Sequence, residues 1–268
     1  SEEALLVQAI DEMMGHQYAN VQQRIFETGN LLNKEFGYLR NEWDTKSKNS
    51  NKIKAFGMKG EYKTDTAGII DYKNKAYGFA YLNENETVRL GESSGWYAGA
   101  VRNKFDFSDI GGSKEEQNIV KAGVFKSMPI GKDHNNGLNW TVSAEGFVGT
   151  GEMKRKFLVV DDIFEAKSEY RSYGFGLKNE LRKNIRTSER TSISTYGSLK
   201  FEYGRFDGIK ENTGQMRLEV KANDYYSIKP EVGVEFKYQQ PMAVRTNFVA
   251  KLGLAYENEL GKVGDVNN

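Results

Sequence analysis

The sequence predicts an all-β protein, an antiparallel transmembrane β-barrel with one helix at its N-terminus. Apolar and polar side chains alternate with a period of two in segment after segment from about residue 53 to residue 257, so each segment reads as a strand with one apolar and one polar face. The apolar faces are thin and aromatic, which suits lipid outside and water inside better than a packed core. The chain contains 15 Tyr, 15 Phe and 28 Gly but only 3 Pro, a balance typical of long strands with aromatic girdles.

The overall composition is compatible with this class. A mean hydropathy of -0.68 does not exclude a membrane protein, because only alternate residues of a barrel strand meet lipid. The 38 basic and 37 acidic residues leave no charge excess that would attract nucleic acid. The absence of cysteine removes disulfides and thiolate–metal sites. No stretch of the sequence approaches the roughly 20 apolar residues of a membrane-spanning helix.

The first 42 residues follow a different period. Apolar residues recur there at intervals of three and four, which predicts an amphipathic helix that threads or plugs the barrel, with an ordinary surface helix as the alternative. Gly15, Gly29 and Gly37 are expected to weaken this helix and to divide it. The polar stretch at 44–51 predicts a linker. The sequence therefore predicts two domains, a helical segment at 1–51 and a β-barrel at 52–268.

About nine strands are readable in the predicted barrel. In each strand, the more apolar parity is predicted to face lipid and the more polar parity to face the lumen. In the first and third strands this rule turns the following residues toward lipid: Phe56, Met58, Tyr62, Tyr97, Val101, Phe105 and Phe107. The strands lie near residues 53–62, 72–82, 97–107, 117–128, 138–148, 173–182, 193–204, 226–238 and 247–257.

Charged residues on the polar parity are the candidates for the lumen wall. Opposite charges often stand two residues apart, and such pairs cost little beside water but a great deal in a dry sandwich core, which favours a barrel. The predicted lumen-facing residues are Glu145, Lys178, Glu180, Lys200, Glu202, Glu231 and Glu235. The tyrosines predicted to form the aromatic girdle at the lipid–water interface are Tyr77, Tyr81, Tyr173, Tyr203 and Tyr238.

The sequence offers no catalytic site, no cofactor-binding site and no metal site. Its two histidines, His16 and His134, belong to no recognisable acid–base dyad or metal-ligand spacing. Asp161, Asp162 and Glu165 could hold a cation, although carboxylates in a solvated loop are the commoner arrangement. We therefore expect neither a cofactor nor an enzymatic activity.

Two segments near the C-terminus resemble the β-domain of autotransporters, the type V secretion proteins. Residues 225–238 and 250–260 follow the family's patterns P-x-x-G-x-x-Y/F in one strand and L-G-x-x-Y in the next. Residues 71–79 resemble the family's second strand. The two patterns are filled by Pro230, Gly233 and Phe236, and then by Leu252, Gly253 and Tyr256.

The resemblance implies a barrel of twelve strands in the outer membrane of a Gram-negative bacterium, with the helix running through its lumen. It implies a non-enzymatic translocator and anchor for an N-terminal passenger, often an adhesin that contributes to virulence. The implied partners are the protein's own passenger, outer-membrane lipid such as lipopolysaccharide, and the barrel-assembly machinery.

The ends of the sequence depart from the family pattern. Family members end in a strand with a terminal aromatic residue, whereas this chain ends in Gly264-Asp265-Val266-Asn267-Asn268, so we expect further strands beyond this sequence. The acidic start is not a secretion leader, so we expect the sequence to be a piece of a longer protein. Asn20, Asn30 and Asn33 lie in the helical region but match no cleavage motif, and no self-cleavage site is assigned.

Other function classes stay open at the level of sequence. A porin-like channel, with the helix as a periplasmic appendage, would conduct ions equally with and without residues 1–42. A soluble β-sandwich binding module would be a stable monomer without detergent. A barrel enzyme of the omptin or phospholipase type ranks last, because such a site needs a catalytic histidine at a strand end and His134 has no visible partner.

Overall fold

The computed structural model describes the chain at residues 21–41, 49–63, 70–86, 92–109, 111–131, 137–211, 219–220, 222–243 and 246–257. His16 and His134, for which the sequence predicts no role, lie outside these residues. The side chains of 239–257 are likewise not described.

One helix, α1, spans Val21–Asn41. It continues without a break through Gly29 and Gly37, contrary to the prediction that glycine divides it, while Gly15 lies outside the described residues. Its last turn carries Arg40, which suits the negative end of the helix dipole. At a rise of 1.5 Å per residue, α1 is about 32 Å long, close to the thickness of a bilayer's hydrocarbon core. Within the described residues, no helix combines the length and apolar character that a membrane crossing requires.

The strands are long, and most of them exceed ten residues. Their bounds are β1 Asn49–Tyr62, β2 Tyr72–Glu86, β3 Ser93–Phe107, β4 Lys114–Pro129, β5 Leu138–Val159, β6 Asp162–Arg186, β7 Thr191–Phe206, β8 Ile209–Lys210, β9 Glu219–Val220, β10 Asn223–Ala243 and β11 Thr246–Glu257.

Nine of these strands form one antiparallel sheet in the order β1-β2-β3-β4-β5-β6-β7-β10-β11. Each strand of this sheet pairs with the next strand of the sheet along the chain. The two-residue strands β8 and β9 pair only with each other, inside the connection from β7 to β10. In the described part of the chain, β1 and β11 are the edges of the sheet. The sheet curls around α1 as a barrel wall, which confirms the predicted fold class.

The helix packs on one face of the sheet, which we call the inner face; the opposite face is the outer face. α1 lies against β1, β2, β3 and β4. It also reaches across to β10, where the ring centroids of Phe26 and Tyr225 are 6.0 Å apart. The buried apolar core therefore lies between α1 and the inner face, with Leu32, Val101 and Phe105 almost fully inaccessible to solvent.

Two strands have the opposite parity to the one predicted. Tyr97, Val101, Phe105 and Phe107 of β3 are buried on the inner face instead of facing lipid. In β1, Phe56 and Tyr62 pack against the same core and Met58 lines a cavity on that face. The prediction was wrong here because α1 covers this part of the wall. A wall that touches a helix is dry and takes apolar residues, so the polar parity turns outward.

Glycine and tyrosine face each other across several strand pairs of the inner face. A Cβ atom on Gly204 would overlap the ring of Tyr225 on the neighbouring strand, and one on Gly233 would lie 2.5 Å from the ring of Tyr196. These glycines leave room for a tyrosine ring to lie flat on the adjacent backbone. This packing occupies part of the inner wall with rigid aromatic side chains.

The hairpin of β5 and β6 extends beyond its neighbours. Its two-residue turn contains Val160, which has a positive φ of 60° and is 86% exposed. A β-branched residue is rare in this left-handed conformation, because its side chain crowds the following carbonyl oxygen. The turn therefore holds backbone strain at an exposed tip.

Candidate functional site

The candidate site is the inner face of the sheet together with α1. The first contact between them is an ion pair near the start of the helix. Arg24 donates from Nε to Glu115 Oε1 at 2.7 Å and from Nη2 to Glu115 Oε2 at 3.1 Å. Both side chains are almost completely buried. The Arg24 guanidinium also lies 5.0 Å from the ring centroid of Phe107.

One turn further along α1, Thr28 joins a chain of polar groups. Its hydroxyl donates to Gln117 Oε1 at 2.6 Å and accepts a hydrogen bond from Asn103 Nδ2 at 3.0 Å. Gln117 then donates to the hydroxyl of Tyr170 at 3.0 Å. Because each member of this chain of polar groups has a partner, these contacts hold the helix in one axial and rotational position.

The middle of α1 contacts a lysine of the sheet. Lys121 Nζ on β4 donates to the carbonyl oxygen of Gly29 at 3.3 Å and to Asn33 Oδ1 at 3.2 Å. A Cβ atom at Gly29 would lie 3.4 Å from Lys121 Nζ, an ordinary contact distance. The backbone of this glycine thus takes part in a contact with β4 that the sequence alone does not reveal.

Lys121 is also part of a buried charge cluster on the inner wall. Its ammonium group lies 3.7 Å from Glu202 Oε1 and 4.0 Å from Glu145 Oε1. Lys200 Nζ lies 3.1 Å from the same Glu145 oxygen, and the hydroxyl of Tyr97 donates to the other at 3.3 Å. The cluster joins β3, β4, β5 and β7 beneath the helix.

The last turns of α1 are held by cation–π and ionic contacts. The Arg40 guanidinium lies 4.6 Å from the ring centroid of Phe125, and its Nη2 is 3.3 Å from Glu84 Oε2. On β1, Lys52 donates to the carbonyl oxygen of Leu39 at 3.0 Å. The start of β1 therefore lies beside the C-terminal end of α1.

A ladder of charged and polar residues on β6, β7 and β10 lies on the side of the wall away from β1–β4. Arg182 on β6 contacts Glu180 at 2.9 Å and Glu235 on β10 at 3.0 Å. The hydroxyl of Tyr196 on β7 donates to Glu231 at 2.7 Å. Between this ladder and α1 lies a cavity of about 1300 Å³. Charged side chains such as Lys178 and Lys200 line it together with aromatic ones such as Phe36 and Tyr62, so it offers both polar and apolar contacts.

The structure places all seven predicted lumen residues on the inner face. Six of them line the cavity: Glu145, Lys178, Glu180, Lys200, Glu231 and Glu235. The seventh, Glu202, is buried in the cluster around Lys121. That these side chains border an aqueous lumen stays a prediction.

The predicted girdle tyrosines lie on the outer face. Tyr77 and Tyr173 are about half exposed there, and the other predicted tyrosines, Tyr81, Tyr203 and Tyr238, are partly exposed. Their location at the lipid–water interface likewise stays a prediction. Around them the outer face exposes large apolar side chains on strand after strand, including Phe79, Trp96, Val124, Trp140, Val148, Phe175, Leu177, Leu199, Val232 and Phe236.

Sequence reasoning missed several residues that hold the site together. Arg24, Thr28 and Lys121 become important only where α1 meets β4. Arg155 on β5 was missed as well, because its partner lies in the β7–β10 connection. Its Nη2 lies 2.9 Å from Glu211 Oε1, and both side chains are fully buried. The sequence shows Arg24 and Thr28 as polar residues within an amphipathic helix, but it does not indicate which residues of the sheet they contact.

No group of three acidic, histidine or cysteine side chains that could hold a metal ion is found in the described part of the chain. Asp161, Asp162 and Glu165 lie exposed at and beside the β5–β6 turn. They gather no further ligand there within the described residues.

Comparison with known proteins identifies the family. The sequence profile described as "Autotransporter beta-domain" matches residues 52–268. No curated protein matches the chain. In the structure, the two motif strands suggested by the sequence pair directly, with Phe236 opposite Leu252 and Val232 opposite Tyr256.

Two solved structures are similar in fold. The translocator domain of autotransporter NalP from Neisseria meningitidis has a TM-score of 0.71 at 12% identity, over 93% of this chain and 82% of that one. The β-domain of the Bordetella autotransporter BrkA has a TM-score of 0.57 at 12% identity, over 82% of each chain. The domains of this family are outer-membrane β-barrels of Gram-negative bacteria. The chain therefore belongs to the autotransporter β-domain family, and it is a translocator-type β-barrel of the Gram-negative outer membrane.

Proposed function

We propose that this domain anchors an N-terminal passenger in the outer membrane and supports its export and surface display, without acting as an enzyme. The observation that carries the proposal is the course of α1 along the inner face. Its N-terminal end is fixed to the start of β4 by Arg24 and Glu115, and its C-terminal end lies beside the start of β1. The start of α1 and the start of the sheet thus lie at opposite ends of the barrel wall.

This arrangement suits a chain that crosses the membrane once through the barrel and then turns back to build its wall. The inner wall offers paired charges and a cavity of about 1300 Å³ that is lined in part by charged side chains, which let a polar chain pass without losing all of its hydration. We propose that the predicted lumen residues form this wall, and that the predicted division at residues 51 and 52 moves to the start of β1 at Asn49, where the threading segment gives way to the barrel. The resemblance makes an adhesin the expected passenger, and the barrel-assembly machinery and outer-membrane lipid the expected partners.

The membrane part of the proposal is tested on a semi-native gel. The refolded chain is run boiled and unboiled, because closed membrane barrels resist unfolding in cold detergent and migrate faster. We expect a heat-dependent shift. A protein that is monomeric and folded without detergent would reject the proposal.

Display is tested by fusing a small reporter domain before residue 1 and expressing it in a Gram-negative host. We expect external protease to remove the reporter from intact cells. A reporter that stays protected while the barrel shows its heat-dependent shift would reject the translocator role.

A porin-like channel is distinguished by conductance in planar bilayers. With α1 in the lumen, deletion of residues 1–42 is expected to raise the single-channel conductance several-fold. Equal conductance of the two forms would favour the channel.

A further inference from the structure

The outer face carries a row of three lysines directly opposite one another on neighbouring strands. Lys59 of β1 pairs in register with Lys75 of β2, and Lys75 pairs with Lys104 of β3. All three side chains are exposed. Like charges in directly opposed positions destabilise a sheet, so the row costs stability unless an anion neutralises it.

Among the described residues, none forms an ion pair with these three lysines. Glu116 of β4 stands directly opposite Lys104 in register, but its carboxylate lies 3.3 Å from Arg102 instead. The acidic residues in the next row outward, Glu61 and Asp106, contact other lysines, Lys63 at 3.4 Å and Lys114 at 3.8 Å.

The lysine row lies at the border of the apolar belt, which is the band of exposed apolar side chains on the outer face. The next outward-facing residue of β2 is Tyr77, and Phe79 follows it; both are about half exposed. Successive residues on one face of a strand are about 7 Å apart, so the ammonium groups lie about one headgroup layer above the apolar surface. Lysine stems can extend along such a surface while their charges stay in the polar layer.

We propose that Lys59, Lys75 and Lys104 form a binding site for the phosphate groups of lipopolysaccharide, with its acyl chains lying along Tyr77 and Phe79. The choice of leaflet rests on the proposed function. The row lies at the end of the wall where α1 begins. The guanidinium of Arg24, in the first turn of α1, is 5.8 Å from the ring centroid of Phe105, which follows Lys104 in β3. With an N-terminal passenger displayed outside, this end faces the outer leaflet, where lipopolysaccharide is the phosphate-bearing lipid.

The sheet also provides a matched control. Lys114, Lys154 and Lys167 are opposed in register in the same way, one row further from the belt. Lys114 lies 3.8 Å from Asp106, and Lys167 lies 3.6 Å from Glu165. This second row carries the same formal charge but is already partly neutralised by carboxylates.

The test titrates the refolded chain in non-ionic detergent with bisphosphorylated deep-rough lipopolysaccharide, and native mass spectrometry counts the retained lipid. We expect the triple variant K59Q/K75Q/K104Q to bind at least tenfold more weakly than the unmodified chain. The control K114Q/K154Q/K167Q should change less than twofold, because its charges are farther from the lipid phosphates. Enzymatically dephosphorylated lipid should bind the unmodified chain as weakly as the first triple variant binds the intact lipid.

Three results would overturn the proposal. Equal losses in the two triple variants would mean general charge attraction. Equal binding of the dephosphorylated lipid would mean acyl-chain contact alone. Full competition by inorganic phosphate at the concentration of the lipid would mean a site for the free anion.

A heat-shift gel of every variant separates this inference from the proposed function. A normal shift without lipid preference rejects only the lipid site. An unmodified chain that shows no shift and folds as a monomer without detergent rejects the membrane part of the proposed function.

Discussion

Arg24 of α1 and Glu115 of β4 form a two-point ion pair in the interior of the barrel, with N–O distances of 2.7 and 3.1 Å. Their side chains are 3% and 0% exposed. A bidentate pair of this kind fixes direction as well as distance. The pair therefore fixes the position of α1 along the wall and the side of α1 that faces β4.

Replacing Glu115 with Gln should weaken the docking of α1 by about 3 kcal/mol, because a buried guanidinium loses its counter-charge. Hydrogen exchange of the α1 backbone amides, followed by mass spectrometry, should then be about 100-fold faster. The adjacent Glu116→Gln is the matched control. Glu116 lies on the outer face with 39% side-chain exposure, and we expect a change below about 1 kcal/mol there. Similar exchange rates in the two variants would refute a docking role for the buried pair.

Gly204→Ala should destabilise the barrel by about 1–3 kcal/mol, because the new methyl group overlaps the ring of Tyr225. Gly197→Ala on the same strand is the control, since the nearest atom to its Cβ would be Val232 Cγ1 at 4.0 Å. Reversible urea unfolding in lipid vesicles measures both. An equal loss at both positions would show that strand flexibility, and not space for the ring, explains the glycine.

Leu199→Lys should destabilise the inserted barrel by about 2–4 kcal/mol if its position is near the bilayer midplane. Leu199 is 51% exposed on the outer face, whereas its neighbour Ser198 lies on the inner parity. Ser198→Lys should therefore have a much milder effect. Unfolding in vesicles, compared with unfolding in detergent, separates the lipid contribution. Equal destabilisation by the two lysines would contradict the assignment of the faces.

Val160→Gly should stabilise the β5–β6 hairpin by about 0.5–1 kcal/mol. Glycine removes the cost of the left-handed backbone at φ 60°, and its greater freedom in the unfolded chain offsets part of that gain. Asp161→Gly is the control, because Val160 is the only described non-glycine residue with a positive φ. We expect slower amide exchange near the turn in the first variant only. Faster exchange in Val160→Gly would mean that the valine side chain itself stabilises the tip.

The sequence was sufficient for the strands that α1 does not cover. In β6, for example, Phe175 and Leu177 alternate with Gly174, Gly176 and Lys178, and the structure exposes both on the outer face. Here one wall of the strand meets the outside and the other a polar interior, so the period of two alone assigns the faces. The same pattern failed in β3, where Val101 and Phe105 are as apolar as Phe175 but lie under the helix.

The contacts of α1 could not be read from the sequence for a related reason. Gly29 and Lys121 are 92 residues apart, and neither position is unusual by itself. The helix glycine suggested a break, yet in the folded protein its carbonyl oxygen accepts a hydrogen bond from an ammonium group. The opposed lysines at 59, 75 and 104 appear equally scattered until the register of three strands is known.

The sequence by itself determined the kind of protein: its period of two specifies long strands, its N-terminal period specifies a helix, and its motif residues specify the family. These properties are local, since each depends on which residues stand a few positions apart in one strand or helix. The tertiary structure alone decided which wall the helix covers, which charges are buried as pairs, and which outward-facing lysines stand side by side. These properties depend on register and on contact between distant segments, because a side chain's surroundings are set by what packs against its face and not by its own polarity.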